Sequence, residues 1–146
     1  MLHCCMAHNP ANDHSSSQQS NQTGNHSNQV MDIANAEHYI WGEGCDGWHL
    51  LKQPDMSVIY DRVPAGGHEV RHYHERARQF FFVLAGEAVL EVDGVTHHLG
   101  YQQGLAVNPQ QPHQLRNESQ ADLVFLVISA PATQACFGQS KDRVQF

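Results

Sequence analysis

Three histidines and a glutamine carry the chemistry available to this chain. His72 and His74 lie two residues apart, so on a β-strand both imidazoles leave the same face and reach one point. Gln79 opens the next apolar run and meets that point if the run pairs back. His113, from a distant strand, closes a set of four donors. Imidazole suits zinc, copper, iron and nickel, so the expected cofactor is one divalent transition metal: zinc, iron, nickel, manganese or copper. Two readings of Gln79 stay open. Its amide oxygen is a fourth ligand, or it hydrogen-bonds a bound water and leaves a three-histidine site. Glu75 follows His74 directly and by parity faces away. An all-neutral donor set leaves the cation its full charge. That acidifies bound water, favours an anionic substrate oxygen, and removes a carboxylate ligand that could accept a proton.

Fewer roles attach to the neighbouring residues. His68 shares the ligand parity and lies toward the mouth. An unperturbed pKa near ~6.5 suits it to acid or base work, against the plainer reading of a loop histidine after Gly66-Gly67. Arg71, Arg76 and Arg78 surround the ligands in sequence, but such arginines usually occupy a solvated face. Phe81 and Val83 share the parity of Gln79 and point inward. Phe80 and Phe82 point outward and need cover from another strand, a second sheet or a partner. Trp41 and Trp48 flank a Gly-rich turn and are expected to anchor the N-terminal arm. Asn117 is expected to fix the loop that presents His113.

Short strands must position these groups. Apolar runs at Trp48–Leu51, Ser57–Val63, Glu69–Tyr73, Phe80–Leu84, Ala88–Val92, Val95–Leu99, Leu105–Val107, His113–Arg116 and Leu123–Ser129 alternate with Gly and Pro turns. Asp93-Gly94 between two runs is a tight-hairpin signal. Val30–Tyr39 reads as a short helix or a strand arm. Many short strands with such turns predict an all-β sandwich or barrel. Residues 1–29 are rich in Asn, Gln, Ser and His. They lack the apolar surface to offset their ordering entropy, which predicts a disordered tail before a single domain over 30–146. Met31 is a second candidate start.

The chain of 146 residues carries a net charge of −7. With no basic patch, nucleic acid and anionic membrane are not expected partners. No apolar run is long enough to span a bilayer, and residues 1–29 lack a secretory apolar core, so the expected location is cytoplasmic. Cys4, Cys5, Cys45 and Cys136 fit no zinc-knuckle spacing. A Cys45–Cys136 disulfide is possible on paper, but a reducing compartment favours free thiols.

The spacing of these residues resembles the cupin superfamily. Its first motif is Gly, five residues, His-x-His, three or four residues, Glu, six residues, Gly. Here Gly66, His72, His74, Gln79 and Gly86 fill those places, with Gln for Glu. In the second motif His113 and Asn117 fit, whereas Gln102, Asn108 and Gln110 stand where the family has Gly, Pro and Gly. The resemblance covers about residues 38–130. It implies an antiparallel jelly-roll β-barrel holding one metal, in the manner of a small single-domain cupin, and it supports pairing as a homodimer. It does not fix the reaction. The expected function is a metal-dependent enzyme on a small, oxygen-rich, anionic molecule, either a Lewis-acid isomerase, lyase or cyclase or an oxygenase. The alternative is a non-enzymatic barrel that binds or senses a small molecule. A metal-adjacent cavity with a titratable neighbour would favour the enzyme.

Overall fold

The computed structural model describes residues 28–133 and 142–145. Apart from residues 28 and 29, the tail expected over 1–29 lies outside the described residues, as does Cys136. Eleven strands follow in order: β1 (Glu37–Trp41), β2 (Cys45–Lys52), β3 (Ser57–Val63), β4 (His72–Tyr73), β5 (Arg78–Ala85), β6 (Ala88–Val92), β7 (Val95–Leu99), β8 (Gly104–Val107), β9 (His113–Arg116), β10 (Leu123–Ala130) and β11 (Val144–Gln145). They form an antiparallel jelly-roll of two sheets. One sheet runs β1-β2-β3-β10-β5-β8 and the other β11-β4-β9-β6-β7. None of the described residues forms a helix long and apolar enough to cross a membrane.

Alternation of side chains builds the interior. Ser57, Ile59, Asp61 and Val63 of β3 are buried in turn. Leu123, Phe125, Val127 and Ser129 of β10 do the same. On β5 the buried set is Gln79, Phe81 and Val83, the inward parity expected from sequence. Leu90 and Leu115 meet Val63, Val83 and Leu123 in one core cluster. Phe80 is 40% exposed. Its ring lies over Gly104 of β8, where a Cβ would come within 2.6 Å, so the neighbouring strand covers part of it.

Three local details depart from the sequence expectation or refine it. The run Glu69–Tyr73 yields only a two-residue strand, His72–Tyr73. The alternation expected before it fails: Val70 is 51% exposed, while Glu69 turns inward. The arm before Tyr39 is no helix; it holds a turn in which Asp32 Oδ1 accepts Ala34 N–H at 2.8 Å, then enters β1. The second-motif loops keep a glycine-like backbone without glycine. Gln102 has φ +59° and Gln110 φ +68°. The Asp93-Gly94 hairpin takes positive φ at both residues, 52° and 83°, as a two-residue turn of that type requires.

Candidate functional site

Register brings the histidines together. His72 of β4 stands opposite His113 of β9, and His74 follows two residues on. Ring centroids are 4.4 Å apart for His72–His113, 4.9 Å for His72–His74 and 5.5 Å for His74–His113. All three residues are buried, and one nitrogen from each lies within 4.8 Å of the others, a group that could hold a metal ion.

The backbone selects the tautomer. His72 Nδ1 lies 2.7 Å from the Val70 carbonyl oxygen, His113 Nδ1 lies 2.9 Å from that of Gln111, and His74 Nδ1 meets that of Asp142. A carbonyl oxygen only accepts, so each Nδ1 carries the hydrogen and each Nε2 keeps its lone pair. His74 Nε2 is buried with no hydrogen-bond partner among the described residues, an arrangement that calls for an explanation. Gln79 donates its Nε2–H to Ser129 Oγ at 2.9 Å, its register partner on β10. That leaves Gln79 Oε1 3.2 Å from His113 Nε2, two acceptors face to face. A cation between them satisfies both, so the donor set fits a divalent metal. Burial, with smaller contributions from neighbouring cationic groups, pushes His72 down to about 3 and His113 to about 4, and lowers His74. Neutral imidazole is the form that binds a metal.

The C-terminal segment secures the loop between His74 and Gln79. The Asp142 carboxylate accepts backbone N–H groups from Glu75 (2.9 Å), Arg76 (3.0 Å) and Ala77 (2.8 Å). Burial opposes its ionisation, but these donors outweigh burial and hold it below the usual carboxylate range. β11 then pairs with β4, backing the strand that presents His72.

A cavity of about 260 Å³ opens beside the imidazoles. Phe81, Phe125 and Val127 supply apolar lining, and Ile40, 70% exposed, lies at the rim. Two carboxyl groups also line it. Asp61 points inward from β3 and, among the described residues, accepts Trp41 Nε1–H alone, at 3.1 Å. Burial pushes it up to about 8. Glu69 Oε1 accepts Leu115 N–H at 3.0 Å; burial pushes its pKa up to about 7, with Arg143 pulling the other way. The Tyr39 ring lies over its register partner Gly47, where a Cβ would come within 2.4 Å. Burial raises its hydroxyl far above the usual range.

The sequence reading missed Tyr39, Asp61, Glu69, Asp142 and Arg143. Asp61 left a signal, a charge at inward parity between Ile59 and Val63. Glu69 left none, because irregular backbone before β4 reverses the parity. His68, the candidate acid or base, is exposed, has Nδ1 3.2 Å from the Glu69 carbonyl oxygen and does not line the cavity. Trp41 does more than anchor the arm, since its indole serves Asp61. Asn117 is buried and donates to the carbonyl oxygens of Val63 and Ala121, which fixes the loop after His113.

Residues 59–129 match the family described as "Cupin domain". No curated protein matches the sequence. Among solved structures, KdgF from Halomonas sp. is similar at TM-score 0.67 and 16% identity, covering 73% of this chain and 96% of that one. An RmlC-like cupin from Shewanella frigidimarina is similar at TM-score 0.66 and 21% identity, covering 74% and 95%. A sugar phosphate isomerase of the cupin superfamily from Silicibacter pomeroyi is similar at TM-score 0.61 and 22% identity, covering 72% and 77%. At such identities the likeness speaks for the fold. With the jelly-roll, the histidine cluster and the matched residues together, residues 59–129 form a cupin domain.

Proposed function

We propose that the protein is a metal-dependent enzyme that uses Lewis-acid catalysis to isomerise, cleave or cyclise a small, oxygen-rich, anionic molecule. His72, His74 and His113 hold one divalent metal, with Gln79 Oε1 as fourth donor. One observation carries this reading: His72, His74 and Gln79, three of these four donors, line a cavity together with two buried carboxyl groups, Asp61 and Glu69. The metal supplies polarisation of a substrate oxygen. The chain supplies proton handling. Asp61 is anchored through Oδ1 by the Trp41 indole, and Glu69 through Oε1 by Leu115 N–H. A buried carboxyl near its own pKa at neutral pH can give a proton or take one. The apolar lining excludes water around that transfer.

The carboxyl pair favours proton transfer over oxygen chemistry, and favours an enzyme over a binding barrel, which needs no such pair. Similar folds include a sugar phosphate isomerase and a predicted oxalate decarboxylase, which agrees with small oxygen-rich substrates. Elemental analysis of protein purified without added metal tests the reading. Stoichiometric zinc or manganese is expected; iron or copper would point to an oxygenase, and no metal would remove the proposal. Gln79→Ala should weaken binding less than any histidine change, because water replaces a neutral oxygen. Gln79→Glu should tighten manganese or iron, which favour anionic oxygen. We also propose a homodimer, because β1 is an edge strand with exposed Ile40 and can add to a neighbour's sheet. Sedimentation at micromolar concentration checks this.

A further inference from the structure

We infer that Arg143 is the seat for the carboxylate of a small monocarboxylate ligand, whose second oxygen reaches the histidine cluster. The inference deepens the proposed function and rests on it for the second oxygen alone. Arg143 immediately precedes β11, the strand that pairs with β4, and its side chain lines the cavity. Its Nη2 lies 3.3 Å from His72 Nδ1. That nitrogen already carries a hydrogen directed at the Val70 carbonyl, so it has no lone pair to offer and the contact is not a hydrogen bond. Arg143 Nε is buried without a partner among the described residues.

Four other arginines pair with carboxylates, and Arg78 donates to Asn108 Oδ1 at 3.2 Å. Arg62 pairs with Asp46, Arg71 with Glu91, Arg76 with Asp142 and Arg116 with Glu118. Glu69 feels the field of Arg143, yet no ion pair joins Arg143 to any described residue. A partly buried guanidinium with unfilled donors is costly unless something anionic completes it. Its planar fork matches a carboxylate through two parallel hydrogen bonds.

Position and charge narrow the class. The guanidinium lies beside the His72 ring, and Arg143, His72, His74 and Gln79 line one cavity, so one small molecule can touch both. The cavity, about 260 Å³, lies just below the range of about 300–1,000 Å³ usual for drug-sized ligands. Asp61 and Glu69 line the same space, and each further negative charge on the ligand would oppose their ionisation. A monocarboxylate with a neighbouring hydroxyl or keto oxygen therefore fits better than a phosphate dianion.

Calorimetric titration of the zinc-loaded full chain with glycolate and with inorganic phosphate tests this, in wild type, Arg143→Gln and Arg143→Lys. Glycolate should bind wild type more tightly than phosphate does. Arg143→Gln should weaken glycolate by at least about tenfold, the size of a charge-assisted hydrogen bond, with zinc stoichiometry unchanged. Arg143→Lys should fall between, and it carries the test if the Gln variant misfolds by circular dichroism. Equal glycolate affinity in wild type and variants, or no glycolate binding by wild type, would overturn the seat. Tighter phosphate would overturn the monocarboxylate assignment. The same titration after chelation separates the two readings. Arg143-dependent glycolate binding by a chain that takes up no zinc would leave the seat standing and sink the metal centre.

Discussion

The imidazole side and the carboxyl side of the cavity are built on opposite principles. On the imidazole side every Nδ1 is tied to a backbone carbonyl, so ring orientation and tautomer are set before any ligand arrives. Such outer partners are what fix metal-binding histidines. On the carboxyl side each group has one anchor among the described residues, an indole for Asp61 and a backbone N–H for Glu69. Burial without a paired cation leaves those protons finely balanced, with Asp61 pushed up to about 8 and Glu69 to about 7. One side is pre-oriented and uncharged at neutral pH; the other is poised to exchange protons. The contrast suits a site that must hold a cation still while a proton moves.

Breaking the imidazole side should have the largest effect. His113→Ala or His72→Ala should weaken metal binding by more than the about 10–100-fold that loss of an outer-shell partner costs. Unchanged metal content in either variant would remove the site. Asp142→Ala comes next, because three backbone donors lose their acceptor, that of Ala77 in a buried position. At about 1–3 kcal/mol for the buried Ala77 donor, with water reaching the exposed Glu75 and Arg76, a loss of about 1–3 kcal/mol is expected, read by urea unfolding of the metal-free chain. An unchanged midpoint would show that the His74 loop does not depend on the C-terminal segment.

The carboxyl side is sharpened by pH. The folded pKa of Asp61 is raised to about 8, against about 3.9 in an unfolded chain. As pH rises between those values the unfolded chain releases a proton that the folded one keeps, so stability is lost up to about pH 8 and is constant above it. Glu69 acts in the same direction up to about 7. The histidines have lowered folded values, so their contribution is complete above about 6.5 and is lost only as pH falls below it. Between pH 7 and 8 the slope therefore belongs mainly to Asp61, at up to about 1.4 kcal/mol per pH unit. Asp61→Asn should flatten it in metal-free protein, and a slope that persists would assign it elsewhere. The smallest effect concerns the loop behind His74. Gln110, at φ +68°, donates its N–H to the His74 carbonyl oxygen. Gln110→Gly should relieve backbone strain and stabilise by about 0.5–1 kcal/mol after the entropy of glycine is counted. A destabilised variant would show that the Gln side chain contributes more than its backbone costs.

The sequence by itself determined the parts that follow from local periodicity. Alternation on β3, β5 and β10 sets which side chains face inward, so Phe81, Val83 and Gln79 were legible as interior groups. The spacing of His72, His74 and His113 marked a shared point, and Asp93-Gly94 marked its hairpin. Tertiary structure alone decided the rest, because those features depend on contacts between residues far apart in the chain. Glu69 enters the cavity where irregular backbone breaks the two-residue period. Asp142 and Arg143 reach the site from a segment whose short strand β11 gives no periodic signal and exists only by pairing with β4. The His72 and His113 carbonyl partners are local, two residues away, but the His74 partner lies 68 residues on. Strand register and chain closure, which no local pattern encodes, made a cavity with a cation side and a proton side out of these separate residues.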